Sequence, residues 1–173
     1  GCDGLVYHPY INPGGERAPF VKTSAAAQFF GLSSNHTRWH LLRAVYEGVA
    51  LSLVDCFEKF PVSIRQLMLC GGGAQSALWC QIISDATGKP VHVPGGCELG
   101  ALGTPVMAAL ATGVYPNVET AVEQAVDLAA GYEPNLENHE IYRELYGLYK
   151  NLYRHVWDDW DLRAALLKRL DKS

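Results

Sequence analysis

Residues 67–81 read LMLCGGGAQSALWCQ: an apolar run, three consecutive glycines, a small residue, then a segment with helical spacing. Ile64 to Cys70 has the length and composition of a short strand. Ser76 to Thr87 spaces Leu78, Ile82, Ile83 and Ala86 along one helix face, and Gly88 is its stop signal. Three glycines in a row lose more conformational freedom on folding than any other tripeptide. Something is therefore expected to lie so close to Gly71, Gly72 and Gly73 that side chains would obstruct it. A strand that turns through glycine into a helix gathers backbone N–H groups at the helix N-terminus, a geometry suited to phosphate or a nucleotide. A tight turn that holds no ligand is the alternative. The P-loop pattern G-x-x-x-x-G-K-[ST] is absent. A dinucleotide fingerprint fails because Ser76 and Ala77 stand where its third glycine belongs.

Outward from this turn, helical spacing runs from Thr37 to about Phe60 through Leu41, Leu42, Val45, Val49, Leu53 and Phe57. Asn35 or Thr37 serves as the cap and Pro61 as the end. Residues 5–20 read as a packed loop rich in Pro and Gly. Lys89 to Pro94 alternates like a strand. Glu98 to Thr112 is an Ala- and Gly-dense helix. Pro116-Asn117 opens another, through about Ala129. After a polar break at Glu133 to Asn138, a segment rich in Tyr, Leu and Trp extends from His139 to Leu170. Its tyrosines, at helical spacing, read as packing residues. The order of elements gives an α/β layer architecture.

With 173 residues the chain is long enough for one domain with a real core. A net charge of −4 gives no electrostatic reason to expect nucleic acid or an anionic membrane as partner. The basic stretch Arg163 to Lys172 reads as the solvated face of a last helix. No apolar run approaches the roughly 20 residues of a membrane span, and no stretch has the pattern of a signal peptide. The five cysteines lack any C-x-x-C pair. They suit reduced thiols and a cytoplasmic location, with Cys70 and Cys80 placed to make the turn sensitive to thiol reagents. The opening Gly1-Cys2-Asp3-Gly4 carries no starting Met, and only two strands stand out. Both lead to the expectation of a piece of a longer protein.

Four motifs in order resemble the FGGY carbohydrate kinases. Gly71-Gly-Gly-Ala-Gln-Ser-Ala-Leu-Trp-Cys-Gln-Ile-Ile-Ser-Asp-Ala-Thr-Gly-Lys-Pro-Val91 looks like that family's second signature. Glu98-Leu-Gly-Ala-Leu-Gly103 is similar to its E-x-x-A-x-G helix start. Pro9-Tyr10 with Gly15-Glu-Arg-Ala-Pro19 resembles its P-Y…G-E-R-x-P loop, and Arg43-Ala-Val-Tyr-Glu-Gly-Val-Ala50 its R-A-x-x-E-G-x-A helix. Together the resemblance covers roughly residues 3–160.

The resemblance implies a ribonuclease H-like, actin-like ATPase domain, expected to be incomplete, with C-terminal helices. On this view residues 1–173 are a C-terminal fragment that lacks the N-terminal domain and the start of its own domain. It implies that Gly72 and Gly73 approach adenosine and the α-phosphate through bare backbone, that Gly71 lets the strand turn, and that Ala74 belongs to the same wall. Ser76 matches a position where some relatives carry an Asn that reaches the nucleotide. It also reads as a helix cap, and both roles stay open. Gln81 and Asp85 read as structural, and so do the pairs Glu16–Arg17 and Arg43–Glu47. Thr104-Pro105 departs from the small residues that usually follow Gly103. If the helix starts near Glu98, Pro105 falls inside it.

The implied reaction is transfer of the ATP γ-phosphoryl group to a sugar hydroxyl, with ATP and Mg2+ as cofactors. The partners are then a small-molecule sugar and ATP, without nucleic acid or membrane. The G-E-R-x-P loop favours a ketopentose such as xylulose; L-xylulose, ribulose, erythritol, glycerol and gluconate stay open. No residue here is a candidate catalytic base, since Asp3, Asp55, Asp85 and Asp127 stand in no matching motif; the base is expected upstream of this chain. No metal ligand is assigned. Alone, the chain is expected to be inactive, and marginally stable or self-associating, a homodimer being the simplest form. A non-enzymatic actin-like nucleotide-binding module and, further off, a dinucleotide oxidoreductase are the rivals.

Overall fold

The computed structural model describes residues 2–95 and 99–170. Its first element, β1 (Val6–His8), pairs antiparallel with β2 (Gln28–Phe30), joining Val6 to Phe30 and His8 to Gln28. This hairpin lies within residues read as loop or left unassigned in the sequence. Strands of three residues across a 19-residue connection leave no local periodicity to detect.

The helix α1 (Arg38–Phe57) is capped by Thr37, whose hydroxyl accepts from the Trp39 amide, while the His40 ring accepts from the Thr37 amide. Its buried stripe is Ala44, Glu47, Gly48, Leu51 and Asp55. Leu42 is exposed. The fully buried stripe is thus mostly small and acidic, while Leu41, Val45 and Leu53 of the row marked by spacing pack half-buried against the core. Small residues let α1 lie directly on β1: a Cβ on Gly48 would be 3.0 Å from the Tyr7 carbonyl carbon.

After β3 (Leu67–Met68) and the glycine turn comes α2 (Ala77–Thr87), which ends at Gly88 in the left-handed conformation, φ 63°. Ile82, Ile83 and Ala86 are buried as expected, but Leu78 is 51% exposed. The strand β4 (Val91–Pro94) runs parallel to β3 and antiparallel to β5 (Leu128–Tyr132), with Val91 opposite both Leu67 and Tyr132. Here the sequence reading is corrected: the helix opened by Asn117, α4 (Val118–Ala125), stops four residues short of Ala129, and β5 takes its place. Pairing with β4 outweighs the helical preference of Leu128-Ala129-Ala130.

The helix α3 (Leu99–Ala111) packs on α4 and continues through Pro105. It is apolar, yet Met107 is 66% exposed.

The last segment is two helices, α5 (Leu136–His155) and α6 (Trp157–Leu170), separated at Val156. The four tyrosines of α5, Tyr142, Tyr146, Tyr149 and Tyr153, are buried, confirming them as packing residues. Tyr142 donates to Glu47 Oε1 (3.0 Å), Tyr146 to Asp55 Oδ1 (3.2 Å), and the Tyr149 and Tyr10 hydroxyls pair at 2.9 Å. Burial pushes all four phenols up, Tyr153 to about 12. They are neutral donors at physiological pH, which is what two buried carboxylates require.

Beside them His8 is fully buried. Its Nε2 lies 2.9 Å from the Tyr149 carbonyl oxygen and its Nδ1 3.2 Å from Gln28 Nε2. A carbonyl only accepts, so Nε2 carries the proton and Nδ1 accepts. Burial lowers the His8 pKa. Tyr10, Phe20, Trp157 and Trp160 close this end through edge-on ring contacts of 5.0–5.6 Å.

Candidate nucleotide-binding turn

Gly71 has φ 81° and ψ −171°, a region of backbone space open to glycine alone. Gly72–Gln75 then forms a single 3-10 turn, closed by bonds from the Ala74 amide to the Gly71 carbonyl and from the Ser76 amide to the Gly73 carbonyl, both 3.1 Å. The first turn of α2 clamps it from below. Ser76 Oγ accepts from the Trp79 amide (3.3 Å), and Cys80 Sγ donates to the Ala74 carbonyl (3.4 Å). The cap role expected for Ser76 is present. Burial holds Cys80 as a thiol by raising its pKa, while Cys70 is exposed at the mouth of the turn.

The three glycines are bare for three different reasons. Gly71 is required by its backbone angles. Gly73 has an ordinary φ, but a Cβ there would drive into the six-membered ring of Trp79, 2.9 Å from Cε3 and closer still to Cζ3. Gly72 also has an ordinary φ, and a Cβ on it would meet no atom of the described residues within 4 Å. Among the described residues, none accounts for a glycine at position 72. It lies exposed on the outer side of a turn that leads into the positive end of the α2 dipole, and the first turn of α2 carries no acidic side chain. Backbone that a ligand can approach, next to a helix N-terminus, is the geometry expected for part of a nucleotide.

Trp79 was not singled out in the sequence. Its ring fills the space beneath Gly73 and stacks on Tyr46 of α1, with centroids 5.7 Å apart and planes 19° from parallel. A tryptophan six residues after a strictly small position was the only available signal.

The remaining assignments are resolved as follows. Asp85 is structural: it accepts from Gln81 Nε2 (2.8 Å), the Asn135 amide (2.9 Å) and Asn138 Nδ2 (2.9 Å), and so ties α2 to the start of α5. Arg43 and Glu47 form the expected ion pair at 2.7 Å, joined by Tyr142. Glu16 does otherwise: its carboxylate accepts from the Arg17 and Ala18 amides, bracing the loop through backbone and not through the guanidinium. The helix start at Gly103 lies in α3, but Glu98 falls outside the described residues. Pro105 is inside the helix, where it withholds one backbone hydrogen bond. Asp3 lies 3.3 Å from His40, and Asp55 is fully buried. Among the described residues no group of three or more His, Cys, Asp or Glu is arranged to hold a metal ion, and no helix is long and apolar enough to cross a membrane.

Residues 2–112 match the C-terminal domain of the FGGY family of carbohydrate kinases. The chain belongs to that family. This FGGY domain is 33% identical over 161 residues to the xylulose kinase of Bacillus subtilis, covering 91% of the chain and 32% of that protein. It is 35% identical over 163 residues to the erythritol kinase of Brucella abortus, covering 93% and 31%. Its fold matches the ligand-bound xylulose kinase of Lactobacillus acidophilus with a TM-score of 0.84 at 25% identity, over 93% of the chain and 33% of that structure. The FGGY domain thus spans about a third of the length of the relatives it matches. Its architecture is that of the actin-like kinases, with two C-terminal helices.

Proposed function

We propose that residues 1–173 form the later part of the second actin-like domain of a carbohydrate kinase, and that Gly71, Gly72, Gly73, Ala74 and Ser76 form the wall on which the adenosine of Mg-ATP lies. The observation that carries this reading is the open backbone at Gly72, where a Cβ would meet none of the described residues within 4 Å. Gly71 sets the turn and Gly73 keeps it low over Trp79. Ser76, having accepted the cap bond, keeps its own hydroxyl proton for an outside acceptor. The complete enzyme would transfer the γ-phosphoryl group of ATP to a hydroxyl of a ketopentose such as xylulose, in the cytoplasm. The catalytic base, the Mg2+ contacts and most of the sugar contacts would come from sequence outside this chain.

Family membership supports the reaction class, and the exposed apolar helix α3 supports the view that more protein belongs beside it. The likeness to an erythritol kinase favours a linear polyol as a second acceptor reading. The test is a titration of Mg-ATP, ADP and NAD(H) into the folded chain and its Gly72→Val variant. Saturable binding of adenine nucleotide, absent for NAD(H) and lost in the variant, is expected. Equal binding by both proteins would remove the turn from the site. A panel of ketoses and polyols with the complete kinase then identifies the acceptor.

A further inference from the structure

We propose that Trp79 is the positioning residue of the nucleotide turn: its indole ring sets the height of the Gly72–Gln75 backbone and transmits that position to α1. The proposal deepens the nucleotide reading of the glycine turn and rests on it.

Three observations carry the assignment. Trp79 touches the turn twice, through its amide on Ser76 Oγ and through its six-membered ring beneath Gly73, where even one added methyl group would not fit. The ring also stacks on Tyr46, at 5.7 Å. The next residue after Tyr46 is Glu47, which is bound to Arg43 and to Tyr142 of α5. Finally, among the described residues the buried indole Nε1 has no hydrogen-bond partner, so none of them anchors the ring through a polar contact. Its place is set by contact with the Tyr46 ring and with the Gly73 backbone. Gly73 is therefore small because of the ring, and Gly72 is open because of the ligand. A turn held up from below by a flat, rigid side chain presents its amides at one height, and preorganisation of that kind is what affinity gains from rigidity.

The experiment measures ADP and Mg-ATP affinity by calorimetry, and thermal melting, for the wild-type chain and four variants. These are Trp79→Leu, which keeps apolar bulk but lacks the six-membered ring, Trp79→Phe, Gly73→Ala, and the double variant Gly73→Ala/Trp79→Leu. Trp79→Leu is expected to weaken nucleotide binding about tenfold and Trp79→Phe less than about threefold, since a flat ring remains. Gly73→Ala is expected to cost about tenfold in the wild-type background and under about threefold once the ring is gone, the non-additivity of two groups in contact. Nucleotide is also expected to change tryptophan emission in the wild type, with that change lost in Trp79→Phe.

If Trp79→Leu lowers the melting temperature but leaves both affinities unchanged, Trp79 only fills core and the proposal is overturned. It is equally overturned if the costs of Gly73→Ala and Trp79→Leu simply multiply. Should Trp79→Leu fail to fold, the same cycle with Trp79→Phe and the emission change decide. The nucleotide reading is judged separately, from the wild type and Gly72→Val alone. A folded wild type without nucleotide binding would end both.

Discussion

The glycine turn and the seam between α1 and α5 are opposite ways of using a protein surface. At the turn, side chains are withheld: Gly71 serves its backbone angles, Gly73 serves Trp79, and Gly72 serves none of the described residues. At the seam, side chains are crowded in, and polar ones at that. Glu47 and Asp55 enter the core of α1 because Tyr142 and Tyr146 meet them with hydroxyl donors. Substitutions at the seam should therefore be read in stability, and substitutions at the outer side of the turn in binding. A residue that moved both equally would erase the distinction.

The largest effect is expected from Glu47→Ala, which strands the Arg43 guanidinium and the Tyr142 hydroxyl. A loss of about 3 kcal/mol in unfolding free energy is expected by denaturant titration, with nucleotide affinity of the folded fraction within about twofold of wild type. Gly72→Val should do the reverse. Affinity for ADP is expected to fall about thirtyfold, roughly 2 kcal/mol, while the melting temperature stays within a degree or two, because a Cβ there meets none of the described residues within 4 Å.

Ser76→Ala sharpens the comparison by touching both regimes. Loss of the cap costs about 1 kcal/mol of stability, and loss of the hydroxyl should weaken nucleotide less than Gly72→Val does. A full-sized affinity loss would make Ser76 the principal contact instead of the backbone.

The smallest effect belongs to His8. Its folded pKa lies below the ordinary value of about 6.5. Below that ordinary value the unfolded chain therefore binds a proton that the folded chain refuses. The stability that neutral His8 contributes is intact above about pH 6.5 and is lost as pH falls toward the lowered folded value. Melting curves from pH 7.5 to 5 should show a decline in wild type that is shallower in His8→Gln. Identical slopes would mean that His8 does not contribute to the acid limb.

The turn was legible in the sequence because its signals are local: an apolar run, glycines, a cap at Ser76, a left-handed stop at Gly88. The Thr37 cap and β4 were legible for the same reason. What escaped was set by distant partners. Local spacing predicts a helix end over β5 because its pairing with β4 lies more than thirty residues away in sequence. Helical spacing does not mark the acidic stripe of α1 as core, because the tyrosines that supply its donors lie about ninety residues later. Trp79 escaped because its role depends on the absence of an atom at Gly73, which no periodicity records. The break at Val156 has no proline or glycine to announce it.

The bond between His8 and the Tyr149 carbonyl spans 141 positions of the chain. On a ribosome adding about 5–20 residues per second, the β1–β2 hairpin can close early. The imidazole inside it then waits about 7 to 30 seconds for its acceptor to be made. Through that interval the nascent chain carries a histidine whose donor can be satisfied only by water, so the hairpin cannot yet shut it away. Completion of the first strand is thus timed by synthesis of the penultimate helix, and a chaperone that shields residues 6–30 would act within that window.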